Sequence, residues 1–253
     1  MLPRRHRFGL SVQRHACVLL RPIFFTIIIV WMKWVRRYRI RNRAGLRKSY
    51  RDFRARHPGP ALFCPNHLTQ IDSLLATWAL IPWWRCLLTP SWIPWHVPER
   101  RNFSENYLFR AICYVGKCIP IERRAPPEET RLQLDKIHHL LKCGETFEIF
   151  VEGTRSRAGR IDLENFAYGV GRILLETPQA HVLCIYLRGE GQETYSDFPR
   201  RGETFDVSLE MIEPRPEHVG LRGAREIATQ IVHKLADMER RHFEDRRKAK
   251  GER

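Results

Sequence analysis

His67 and Asp72, five residues apart in Asn66-His67-Leu68-Thr69-Gln70-Ile71-Asp72, are the side chains best equipped for chemistry in this chain. An imidazole takes a proton near neutral pH, and a carboxylate bonded to its other nitrogen fixes the tautomer and stabilises the imidazolium that forms. The two supply two thirds of a hydrolase-type triad, the third member being a hydroxyl on the substrate. No Gly-x-Ser-x-Gly nucleophile elbow occurs anywhere in the sequence. That favours direct transfer to an acceptor hydroxyl over an enzyme-bound intermediate.

A second group lies about eighty residues on, in Phe150-Val151-Glu152-Gly153-Thr154-Arg155-Ser156. Glycine lets the backbone turn with its N–H groups exposed, and arginine adds a planar donor fork suited to phosphate. The competing reading is an ordinary strand exit. Between the two groups, the apolar stretch from Cys113 to Ile121 ends in Glu122-Arg123-Arg124. It reads as a strand followed either by a phosphate ligand or by a solvated arginine pair before the Ala125-Pro126-Pro127 break.

His-x4-Asp followed by Glu-Gly-Thr-Arg resembles the motif pair of the glycerolipid acyltransferase family, over roughly residues 60 to 190. The resemblance implies an αβ-acyltransferase fold preceded by helices that dock on a bilayer. It also implies transfer of a fatty acyl group from acyl-CoA or an acidic acyl-carrier protein, used as thioester co-substrate with no other cofactor. The acceptor is a lysophospholipid, most simply 1-acylglycerol-3-phosphate, which gives phosphatidic acid. His67 would deprotonate the hydroxyl and Asp72 would orient His67. Glu152, Gly153 and Thr154 would shape the acceptor site, while Arg123 and Arg155 would hold phosphate. Pro120 and the second arginine, Val151 where proline is usual, and the absence of proline from Val182 to Leu187 all depart from the family pattern. These departures leave open another acceptor, a lyso-aminolipid or a secondary-metabolite alcohol. A non-catalytic, basic lipid-binding protein is the reading from another class, and it would call for a broken His–Asp pair.

Several elements must position these groups. Five residues on a regular helix turn about 500°, leaving His67 and Asp72 about 140° apart, so both cannot face one way from a single helix. Thr69 and Asp72 match a capping signal before Ile71, Leu74, Leu75 and Trp78, which predicts a helix from Thr69 with His67 on the turn before it. Asp72 acting only as a cap is the competing reading. Strands are predicted at Ala61 to Cys64, Ala111 to Ile121, Phe147 to Val151, Val182 to Leu187 and Phe205 to Ile212. Helical spacing recurs over 132–141, 163–174 and 227–238. The alternation predicts an α/β fold with a mostly covered mixed sheet. Residues 1–56 form a basic and apolar N-terminal membrane anchor, 57–240 the catalytic domain, and 241–253 a charged tail expected to fray.

A net charge of +16 over 253 residues calls for an anionic partner. Basic residues from Lys33 to Arg56 face the single acid Asp52. Beside an apolar run, Pro22 to Met32, they read as attraction to anionic headgroups, at about 1 kcal/mol per residue near the surface. All seven tryptophans fall between Trp31 and Trp95, which suits a membrane interface and argues against nucleic acid as the partner. The run is shorter than the roughly 20 residues a spanning helix needs, so an interfacial or re-entrant anchor on the cytoplasmic face of the inner membrane is expected. Seven cysteines without a Cys-x-x-Cys pair indicate a reduced compartment and predict no metal site.

Overall fold

The continuous apolar run Leu62-Phe63-Cys64 is explained by a strand covered on both faces. In the computed structural model, which describes residues 2–82, 84–100, 107–122 and 125–251, that run lies inside a six-stranded sheet. Strands β1 (Arg39–Ile40), β2 (Ala61–Pro65), β3 (Trp95–His96), β4 (Thr146–Glu148), β5 (His181–Gly189) and β6 (Thr204–Ile212) pair in the order β1-β6-β5-β2-β4-β3. The four from β5 to β3 are parallel, β6 runs antiparallel to β5, and β1 is parallel to β6. The sheet is therefore mixed.

Helices are α1 (Arg4–Val30), which continues as a π-helical turn Trp31–Val35, α2 (Arg43–Arg56), α3 (Asp72–Leu80), α4 (Arg85–Leu88), α5 (Tyr107–Val115), α6 (Pro127–Lys142), α7 (Gly169–Glu176) and α8 (Gly220–Lys250). Leu62 and Cys64 pack with Ile137 of α6, Ile173 of α7 and Ile231 of α8. Ala61 and Phe63 face the other way, onto Tyr50 of α2 and Ala76 of α3. Gly171 lets α7 press against α8, since a Cβ there would sit 1.9 Å from the Ala224 carbonyl oxygen.

The segment Ala111 to Ile121, predicted as a strand, is helical to Val115. The chain then reverses at Lys117, which adopts φ +57°, and Cys118 and Ile121 make only isolated bridges to His96 and Glu99. A short apolar run rich in β-formers satisfies either period, and packing of α5 against α1 decides it. The predicted strand 147–151 ends at Glu148. The helix predicted over 163–174 begins only at Gly169, because the Asp162 carboxylate binds the N–H groups of Glu164 and Asn165 and holds a turn. The tail expected to fray is the end of α8, tied down by Arg241 to Glu210 and by Arg246 to the Glu190 carbonyl.

The helix beginning at Arg4 is longer than the apolar run had implied. Arg4–Val35 is long and apolar enough to cross a membrane by length and composition. One face is nonetheless packed on the domain: Leu10, Gln13, Cys17, Arg21 and Phe25 are buried. Gln13 donates to the Tyr114 and Cys118 carbonyls, and Arg14 pairs with the buried Glu145. The other face exposes Phe8, Val12, Leu19, Ile23, Ile27, Val30 and Trp34 as one stripe at helical spacing.

Candidate active site

Strand β2 delivers His67 to the carboxyl edge of the parallel strands, where ligands of open α/β sheets gather. Asn66 fixes the exit by bonding Leu187 of β5 in both directions, donating to its carbonyl at 3.0 Å and accepting its N–H at 2.7 Å. His67 then leaves the sheet. Its N–H donates to Glu152 Oε1 at 2.8 Å, and its carbonyl accepts from Ser156 N at 2.9 Å. The two sequence groups are thereby joined through the backbone of the histidine itself. Its ring stacks on Phe150 with centroids 3.9 Å apart.

Nδ1 of His67 lies 3.1 Å from Asp72 Oδ2. The same oxygen accepts from the N–H groups of Leu68, at 2.6 Å, and Thr69, at 2.7 Å, and Oδ1 accepts the Thr69 hydroxyl at 2.5 Å. A carboxylate holding four donors is an acceptor only, so Nδ1 carries the proton of the neutral ring. Among the described residues nothing bonds Nε2, and the side chain is 20% exposed. The lone pair on Nε2 faces outward. Helix α3 begins at Asp72, not at Thr69, with Ile71 as its uncapped N-cap. Asp72 turns its carboxylate back onto the preceding turn, which is how a five-residue separation puts both side chains in contact.

Gly153 adopts φ +70°, and a Cβ there would meet the Ala167 side chain at 3.1 Å, so both conformation and space favour glycine. Its N–H closes the turn onto the Phe150 carbonyl. The N–H groups of Thr154 and Arg155 have no protein acceptor among the described residues, and Thr154 is exposed. Glu152 is buried, with Oε2 lacking a hydrogen bond. Burial pushes its carboxyl up to about 8 against the opposing pull of the His67 N–H. Arg155 is partly committed: Nη1 binds Asp197 Oδ1 at 2.6 Å and the Ser196 carbonyl at 3.3 Å, and the guanidinium lies over Tyr195. Arg123 and its neighbour Arg124 lie outside the described residues.

Sequence reasoning missed the β5–β6 loop. Ser196 donates to the Leu68 carbonyl, and Asp197 takes both the backbone and the side-chain N–H groups of Gln70. No local pattern marked it, because its partners are more than forty residues away in sequence. A second pair was missed too, His96 beside the buried Glu148 at 3.7 Å. The signal there was an acid inside a predicted strand.

A histidine–carboxylate pair at a strand-to-helix turn of a mixed α/β domain is an arrangement suited to general-base chemistry on a bound hydroxyl. The family model described as Acyltransferase matches residues 46–188, more than half of the chain, and the protein belongs to that family. The match covers both the His67 turn and the Glu152 turn. A comparison with curated proteins found no match.

Proposed function

We propose that this acyltransferase moves a fatty acyl group from a thioester, acyl-CoA or acyl-carrier protein, to the free hydroxyl of a lysophospholipid at a membrane surface. The observation that carries the reading is the free Nε2 of His67 behind an Nδ1 held by an acceptor-saturated Asp72. Nε2 takes the hydroxyl proton as the oxygen attacks the thioester carbonyl. The resulting oxyanion meets the N–H groups of Thr154 and Arg155, donors of the kind worth a few kcal/mol in a transition state. Collapse breaks the C–S bond, the imidazolium returns its proton to the leaving thiolate, and an ester and a free thiol result. Asp72 holds the ring through each change of charge. Glu152 holds the His67 backbone, and the unengaged edge of Arg155 reaches the headgroup, with Arg123 as a further phosphate ligand.

In this reading the sheet domain carries the chemistry and includes β1 and α2, which the expected anchor 1–56 had taken in, so the bilayer contact falls to α1. Helix α1 lies along the interface instead of spanning it: its Leu19, Ile23 and Ile27 face enters the lipid while its Gln13 and Arg14 face stays bonded to the domain. Lys33, Arg36 and Arg37 at its end meet anionic headgroups on the cytoplasmic leaflet.

The test is transfer of a labelled acyl chain to lysophospholipids in anionic vesicles, with both donors offered. Wild-type protein forms diacyl product, and folded His67→Ala loses at least 10²-fold in rate, the scale of a general base. Undiminished turnover in that variant would end the mechanism.

A further inference from the structure

Resting on the proposed function, the geometry points to an acceptor headgroup that carries an ammonium beside its anion, with Asp197 as the residue that selects it. Arg155 is not a free cation waiting for phosphate. Asp197 neutralises it, and the pairing is built in: the Asp197 carbonyl and carboxylate both bind Gln70, and Ser196 binds Leu68, so the 196–197 segment is bonded onto the turn that presents His67. Asp197 nevertheless keeps its side chain 66% exposed, and only its Oδ1 is engaged among the described residues. Asp197 Oδ2 and the Nε and Nη2 atoms of Arg155 make no hydrogen bond among the described residues, on a pair whose other atoms are bonded together.

Stability does not explain the pair. With the Asp197 side chain 66% exposed, solvent screens the contact with the half-buried Arg155 and holds it to about 1 kcal/mol. For a bare phosphate monoester it is a hindrance, because the incoming dianion meets a carboxylate 2.6 Å from the arginine nitrogen meant to receive it. A zwitterionic headgroup suits both charges at once: its anion takes the free edge of Arg155 and its ammonium takes Asp197 Oδ2. The Tyr195 ring, already under the Arg155 guanidinium, adds a face attractive to cations. The ammonium belongs either to an ethanolamine-type phosphodiester or to an amino-acid headgroup, the two common ways of setting such charges a few atoms apart.

The experiment compares kcat/KM of the full-length protein for 1-acylglycerol-3-phosphate, its phosphoethanolamine ester and an amino-acid-headed lysolipid, each in vesicles of the same composition. Wild type should prefer one or both zwitterions over the monoester by about tenfold or more. Asp197→Asn should collapse that preference by lowering zwitterion use and raising monoester use, and Asp197→Glu should keep most of it. Selective use of one zwitterion identifies the source of the ammonium. Wild-type preference for the monoester, or an Asp197→Asn variant that loses all acceptors equally, overturns the assignment while leaving the acyltransferase reading standing. Absence of transfer to any of the three with either donor overturns both.

Discussion

Among the described residues two histidine–carboxylate pairs have acids equally hidden from solvent, and those acids are hydrogen-bonded to opposite degrees. Asp72 and Glu148 are 1% and 2% exposed. Asp72 accepts four hydrogen bonds, one of them from His67. Glu148 accepts none, and its neighbour His96 stands at 3.7 Å, beyond bonding reach. Burial, with the Asp72 charge adding to it, pushes the Glu148 carboxyl up to about 8. Burial, assisted by Arg21 and Lys117, pushes His96 down to about 3. At neutral pH the second pair is therefore an uncharged contact. A backbone turn that supplies N–H groups satisfies a buried carboxylate, and a nearby imidazole alone does not suffice.

The largest effect separates the two acids by activity. Asp72→Asn can keep its carbonyl oxygen on the Leu68, Thr69 and His67 donors, but it removes the charge that stabilises the His67 imidazolium formed during transfer. The rate of acyl transfer should fall on the order of 10²-fold or more. Glu148→Gln, isosteric and already uncharged at pH 7, should keep the rate within about threefold. Equal losses in both variants would show that the pairs act as one relay. Loss of thermal stability in Asp72→Asn without loss of rate would make Asp72 a structural clasp of its turn.

The next effect is on stability against pH. Glu148 and Glu152 have folded values raised to about 8 from 4.5, so their contribution is complete below about pH 4.5 and is lost as pH rises through 8. Each adds a downward slope of at most about 1.4 kcal/mol per pH unit inside that window. His96 is lowered from 6.5 to about 3, so its contribution is present above 6.5 and is lost as pH falls toward 3. Urea unfolding should place the maximum near pH 4.5, where the two downward slopes overtake the single upward slope of His96. Glu148→Gln should flatten the alkaline limb by about half and leave the acid limb in place. An unchanged alkaline limb would mean that Glu148 is already ionised.

Much of the first pair was legible because its chemistry is local. His67, Asp72 and the turn between them fall within six residues, and helix geometry alone required the histidine to precede the helix. Strands β2, β5 and β6 were legible for a similar reason, since burial of a covered sheet leaves long apolar or β-branched runs. The second pair joins β3 to β4 through a parallel register, Trp95 opposite Phe147 and His96 opposite Glu148, which no spacing along the chain encodes. Asp197 was hidden by the same distance in sequence. Helix α5 was misread because nine apolar-rich residues carry too few periods to tell 3.6 from 2.

The smallest expected effect is the sharpest check on the charge states. His96→Leu removes a buried ring nitrogen that makes no hydrogen bond, and it replaces the imidazole with a side chain of similar bulk. If His96 and Glu148 are both neutral at pH 7, little Coulomb energy is lost, and relief of the unsatisfied nitrogen offsets part of the lost packing. Unfolding free energy at pH 7 should change by no more than about 1 kcal/mol, and the rate of acyl transfer by less than about twofold. The difference between wild type and variant should appear below pH 6.5, where the wild type alone has a buried imidazole to charge, so the acid limb flattens in His96→Leu. A loss of about 3 kcal/mol or more at pH 7 is what removing one partner of a buried ion pair produces. That result would mean that His96 and Glu148 are charged together, and that an imidazole at 3.7 Å can after all hold a buried carboxylate in its ionised form.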